Sequence, residues 1–283
     1  LNCFRIGLAI AERLGREGAA VVICSRNQKN VDDAVNYLKS KGISRVEGIA
    51  CHIANAEHQR KLVDFVGLTI EKFNKIDILI NNHGINPAFG HILEVDEKIW
   101  DKLFEVNVKA GWQLTKLVHP HMVKNGGGSI VFNASFSAYK SPPGIAAYGV
   151  TKTTLLGLTQ ALAHGLAKDN IRVNGIAPGV IKTKMSEALW SGNGDEGEKE
   201  MVDAMEVGFQ VVVGGRGAQV PGAPSCILYG YFLQKRSNNF QVPLGRLGVP
   251  EECAGAVAFL VSDDAKYITG ETILIAGGVH ARL

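Results

Sequence analysis

Short apolar, β-branched runs alternate with longer amphipathic stretches along nearly the whole chain, and this rhythm limits the fold more than any other feature. "GAAVVICSR" (18–26), "VEGIACH" (46–52), "IDILINN" (76–82), "SIVFNAS" (129–135), "IRVNGIAPG" (171–179) and "ETILIAGG" (271–278) read as strands. Between them, 31–42, 57–73, 97–125, 146–168 and 250–262 carry helical spacing. Gly42 and Gly126 to Gly128 supply stop signals, and Pro250 suits a first helical position. Strands separated by helices run parallel, and strands apolar on both sides need cover on both faces. The expectation is a Rossmann-type, doubly wound parallel α/β sheet in three αβα layers.

At 283 residues, 46% hydrophobic and 20% charged, the chain suits a single domain spanning 1–283. A net charge of +3 is too mild to suggest a nucleic-acid partner. No run of about 18 apolar residues occurs, so no membrane span is expected. Five scattered cysteines without a CxxC pair point to a reducing compartment, with no disulfide framework and no metal site. One stretch breaks the rhythm. Residues 207–241 hold neither period and are rich in Gly, Pro and Ser, which is unusual inside a compact domain.

"YGVTK" carries the first chemistry. Tyr148 and Lys152 lie four apart on an expected helix and share a face. An ammonium beside a phenol favours the phenolate and lowers its pKa, making Tyr148 a candidate acid/base. Such a pair alone also suits an ordinary surface helix. Ser135, thirteen residues earlier, ends an expected strand and can offer its hydroxyl to a substrate oxygen. "NNHG" (81–84) follows a buried strand, at the carboxyl end where open α/β sheets bind ligands. Asn107 sits among apolar neighbours in mid-helix and must find partners if buried. Ser25 and Arg26 stand where a dinucleotide-binding unit places a ribose-holding acid, with Lys29 nearby. A guanidinium there suits a 2′-phosphate, which favours NADP(H) over NAD. "HPH" (119–121) has no spaced carboxylate or third ligand and reads as a helix end.

Together these motifs resemble the short-chain dehydrogenase/reductase family. The resemblance covers nearly all of the chain outside 207–241 and includes "NNHG", Asn107, Ser135, "YGVTK", "PGVIKT" (178–183) and "YITGE" (267–271). Within the family, "SRNQKN", "NPAFG", "LAKDN" and "GRLGVPEECAG" are most similar to the peroxisomal NADP-dependent carbonyl and retinal reductases. The resemblance implies NADPH-dependent reduction of ketones, dicarbonyls or retinal-like aldehydes. Tyr148 would protonate the carbonyl oxygen, and Ser135 would orient it. Lys152 would lower the Tyr148 pKa and bind the nicotinamide ribose, while Asn107 would hold a relay water. Ile6, Gly7, Asn82, Gly84, His52, Ile53, Pro178, Gly179, Ile181 and Thr183 would line the cofactor. The terminal Ala281-Arg282-Leu283 resembles a peroxisomal address, with the cytoplasm as the other expectation. Small residues on the two long helices (Ala110, Gly111, Gly157, Ala161, Ala163) are expected to form dimer or tetramer faces.

Three departures qualify these expectations. The family opens with a strand and T-G-x-x-x-G-I-G, of which "RIG" (5–7) remains, with Arg5 at the middle glycine. The absent strand would lie centrally in the sheet, between the family's second and fourth. The 207–241 segment begins Val-Gly and ends Phe-Gln, which can be encoded as the usual ends of an intron. It is expected to be a retained intron and not a lid loop. His83 replaces the usual Ala and is expected to fill space. A rival function is a catalytically inactive, cofactor-free homologue that binds intact subunits through its helix faces.

Overall fold

Val21–Ser25 (β1) and Val46–Ala50 (β2) pair in parallel, with Val21 opposite Val46 and Ser25 opposite Ala50. Four more strands form a second parallel sheet in the order β3-β4-β5-β6: Ile78–Asn81 (β3), Gly128–Asn133 (β4), Ile171–Pro178 (β5) and Thr272–Ile275 (β6). The structure is a computed structural model that describes residues 6–51, 73, 75–183, 186 and 242–279. Arg5, His52, Ile53, the 207–241 segment, the Ala281-Arg282-Leu283 tail and all but Phe73 of the helix expected over 57–73 lie outside the described residues. Among those described, no ladder joins the two sheets, and the break falls between β1 and β3. Side chains still meet across it: Val22 and Ile49 pack with Cys51, Leu79 and Leu114.

Helices cover both faces. Ala110–Lys124 (α4) and Ala146–Leu166 (α5) lie on one side, where Val118, Met122, Leu155 and Ala163 meet Ile130, Phe132 and Val173. Ile6–Arg16 (α1) and Pro250–Val261 (α6) lie on the other, where Ile10, Cys253 and Val257 meet Val131 and Ile176. Neighbouring residues of β4 thus enter opposite cores, as a period of two requires. Both faces are apolar, which explains the near-continuous hydrophobic strands. Each fully buried Leu, Ile or Phe contributes about 1.5–3 kcal/mol by leaving water. Gln28–Ser40 (α2) follows β1, its first turn capped by the Asn27 side chain, which accepts from Asn30 N.

Two features of the long helix differ from expectation. The 97–125 stretch is helical throughout but not uniform: Glu97–Phe104 (α3) leads into one π turn, Glu105–Lys109, and then into α4. Asn107 sits inside that turn. The helix also continues through Pro120 to Lys124, so "HPH" does not end it. His119 Nε2 lies 2.8 Å from Asp169 Oδ2, a carboxylate supplied from 50 residues away. No group of three metal-type ligands forms among the described residues.

The small residues expected at subunit faces divide. Ala110 and Ala163 are buried in the chain's own core, and a Cβ on Gly111 would strike the Phe132 ring at 2.8 Å. These three serve close helix–sheet packing. Gly157 and Ala161 are exposed, as are Trp112 and Val123 on α4.

Candidate active site

β4 delivers Ser135 to the carboxyl edge of the sheet. Its hydroxyl accepts from Ser137 N at 3.2 Å, starting a short 3-10 turn, and lies near enough to the Tyr148 hydroxyl to lower its pKa. Tyr148 and Lys152 stand on the first turns of α5, with the Lys152 Nζ 5.5 Å from the phenol ring centroid. Lys152 is 3% exposed and donates to the Asn133 carbonyl at 2.7 Å. The Asn133 side chain in turn donates to Asn82 Oδ1 at 2.7 Å. Asn133 therefore links the β3 end to the helix that carries Tyr148 and Lys152. It was not a candidate from the sequence, because "NAS" shows no feature of such a bridge.

Asn107 is 1% exposed and its amide is spoken for. Oδ1 accepts from Ile85 N at 2.8 Å, and Nδ2 donates to Ile85 O and to Thr151 Oγ1, both at 3.0 Å. The buried-amide expectation is met, and the loop after β3 is pinned by it. A Cβ placed on Gly84 would lie 3.3 Å from Lys152 Nζ and 3.6 Å from Asn107 Oδ1. The missing side chain leaves room between these two polar groups, which suits a bridging water or a ribose hydroxyl.

The electrostatics depart from one expectation. Burial pushes the Tyr148 phenol up to about 12, opposed by the nearby Ser135 hydroxyl. Burial pushes the Lys152 ammonium down to about 8. Lys152 is turned to the Asn133 carbonyl, so desolvation outweighs its attraction for a phenolate in this geometry. His83 is held down at about 3 by burial and then by Lys152. It is a neutral ring that packs near Gly111, in keeping with a space-filling role.

The cofactor candidates gather along the carboxyl edges. Ile6 and Gly7 open α1, and a Cβ on Gly7 would meet Asn82 Nδ2 at 2.6 Å, so the two segments approach closely. Ser25 ends β1 and its carbonyl accepts from Cys51 N at 2.8 Å. Arg26 and Lys29 flank the start of α2, exposed, with no acidic residue in that first turn. A helix N-terminus with two cations suits a phosphate. Pro178 ends β5, and Gly179 N donates to Ile275 O at 2.8 Å while a Cβ there would crowd Ala276. The Ile181 side chain is buried in the core between α1 and α6, leaving only its backbone for a ligand. Thr183 is engaged with Ser186, Oγ to Oγ at 3.1 Å. These residues fit a dinucleotide laid across the sheet edge.

Comparison with known proteins agrees with the geometry. Residues 5–194 match the short chain dehydrogenase model. The chain belongs to that family. Residues 232–280 also match the model described as enoyl-(acyl carrier protein) reductase. Dehydrogenase/reductase SDR family member 4 of Caenorhabditis elegans is 64% identical over 278 residues, 98% of this chain and 92% of that protein. The Homo sapiens protein of the same name is 42% identical, covering 98% of this chain and 84% of its own length. Among solved structures, 3-ketoacyl-(acyl-carrier-protein) reductase from Brucella melitensis complexed with NADH has a TM-score of 0.75 at 26% identity. It spans 97% of this chain and 93% of its own. Actinorhodin polyketide ketoreductase with NADPH has a TM-score of 0.77 at 25% identity, spanning 97% and 92%. The Rossmann-like parallel architecture is common to them, and a nicotinamide cofactor is the ligand named with both.

Proposed function

We propose that this oxidoreductase reduces carbonyl compounds (ketones, dicarbonyls and retinal-like aldehydes) with NADPH. The observation that carries the reading is the grouping of Ser135 after β4 with Tyr148 and Lys152 on α5, where Lys152 is tied to the Asn133 carbonyl and Asn107 to Thr151. When bound, the reduced nicotinamide supplies hydride to the carbonyl carbon. Ser135 donates a hydrogen bond to the carbonyl oxygen and fixes its position. Tyr148, held near 12, keeps its proton at neutral pH and delivers it to the forming alkoxide. Lys152 holds positive charge beside the resulting phenolate and binds the nicotinamide ribose. Arg26 and Lys29 select the 2′-phosphate by charge-assisted hydrogen bonds. Gly157, Ala161 and the exposed Trp112 support a dimer or tetramer contact between copies. Ala281-Arg282-Leu283 supports a peroxisomal location, testable by import of a fluorescent fusion with and without these three residues.

The exposed Trp112 and Val123 on α4 favour a second reading, a cofactor-free homologue that docks on intact subunits through its helix faces. Titration with NADPH and NADH, followed by cofactor fluorescence, separates the two. Saturable binding that prefers NADPH supports the reductase. In Arg26→Ala, NADPH binding weakens about ten-fold or more while NADH is little changed, as loss of a charge-assisted pair requires. Equal weakening of both cofactors would remove the phosphate role from Arg26.

A further inference from the structure

Between Tyr148 and Lys152 lies a residue that the reaction scheme leaves unused. Thr151 is fully buried, at 0% exposure, although its side chain is polar. Its hydroxyl does two things. It accepts from Asn107 Nδ2 at 3.0 Å and donates to the Tyr148 carbonyl at 2.7 Å. Asn107 grips both backbone groups of Ile85. One continuous chain of hydrogen bonds therefore runs from the loop after β3, through Asn107 and Thr151, to the backbone of the proton donor.

We infer that Thr151 is a positioning residue, whose hydroxyl locks the Asn107 amide and the Tyr148 backbone in register. The inference rests on the reductase reading only for its kinetic part. Asn107 has two amide hydrogens, and the Ile85 carbonyl takes one. Without the Thr151 oxygen, the other loses the acceptor it has here, and a buried donor left unpaired is costly. The amide then turns or shifts to find a partner. Its Oδ1, which faces the space beside Gly84 and Lys152, moves with it. A valine has nearly the same shape and lacks both bonds. A serine keeps both and loses only a methyl group.

The test compares Thr151→Val with Thr151→Ser in the full chain. Thr151→Val lowers kcat about ten-fold, with the KM for NADPH and for a model diketone within about two-fold, because positioning acts on the transition state more than on binding. Thr151→Ser stays within about two-fold of the parent. In an Asn107→Ala background, Thr151→Val has no further effect on kcat, since the two act as one unit. A readout without turnover accompanies these: amide hydrogen exchange in the peptide containing Ile85 speeds about ten-fold in Thr151→Val and not in Thr151→Ser. Equal damage from valine and serine, additive losses in the Asn107→Ala background, or unchanged exchange at Ile85 would each overturn the inference. Parent protein without turnover, with the exchange effect intact, would sink the reductase reading and leave the positioning role standing.

Discussion

Replacing Lys152 with methionine should make the protein more stable at neutral pH. The ammonium is 3% exposed, and burial lowers its pKa from the ordinary 10.5 to about 8. At about 1.36 kcal/mol per pKa unit, keeping that charge at pH 7 costs the folded state about 3 kcal/mol. Methionine fills similar volume without charge, but it leaves the Asn133 carbonyl without its donor, a loss of about 1 kcal/mol. The variant is thus ahead by about 2 kcal/mol at pH 7. The sign of the pH dependence follows from the lowered pKa. Between about 8 and 10.5 the unfolded chain binds the proton that the folded chain has released, so the parent gains stability as pH rises. By pH 10 the advantage of the variant shrinks to about zero by the same arithmetic. Urea unfolding of both proteins at pH 7 and pH 10 measures this directly. Tyr148 titrates in both and cancels to first order. A stability gap of equal size at the two pH values would show that Lys152 is not a destabilising buried charge, and the reasoning would fail.

Two further outcomes are expected. Glu252 takes a two-pronged contact from Arg246 and a bond from Val249 N, which hold its carboxyl down at about 2. The pair is partly exposed, so Glu252→Gln costs only about 0.5–1 kcal/mol at pH 7 after screening. That contribution is present above 4.5 and lost as pH falls through about 2, so urea melts at pH 3 should show roughly half the difference seen at pH 7. Gly84→Ala puts a methyl 3.3 Å from Lys152 Nζ and 3.6 Å from Asn107 Oδ1, with no contact shorter than 3.3 Å. Steady-state assays should show kcat reduced about 10- to 100-fold with thermal stability nearly unchanged, and an active variant would remove any role for the space between those groups.

The architecture was legible because it depends on patterns that are local in the chain. Ile130 and Val131 are neighbours that enter different cores, and an apolar run such as "SIVFNAS" announces that without any knowledge of partners. The motif residues were legible for the same reason: Tyr148 and Lys152 share a helix face by spacing alone. What stayed hidden depends on partners far away in sequence. The π turn at Asn107 is stabilised by the Ile85 backbone, 22 residues distant, so nothing within "EVNVK" signals it. The helix runs through Pro120 beside a tie from His119 to Asp169, 50 residues on. Small residues mislead in a different way. Ala110, Gly111 and Ala163 suit a subunit contact and a tight core equally well, because a missing side chain names no partner. The site shows the same division. Its polar groups can be named from the motif, but the bond from Lys152 to the Asn133 carbonyl depends on α5 packing against the end of β4, which spacing alone does not reveal. The Tyr148 pKa therefore rises where spacing alone predicts a fall. For the proposed reaction the direction matters: a phenol that holds its proton suits reduction, and the reverse reaction, alcohol oxidation, would need Lys152 turned away from Asn133 and towards Tyr148.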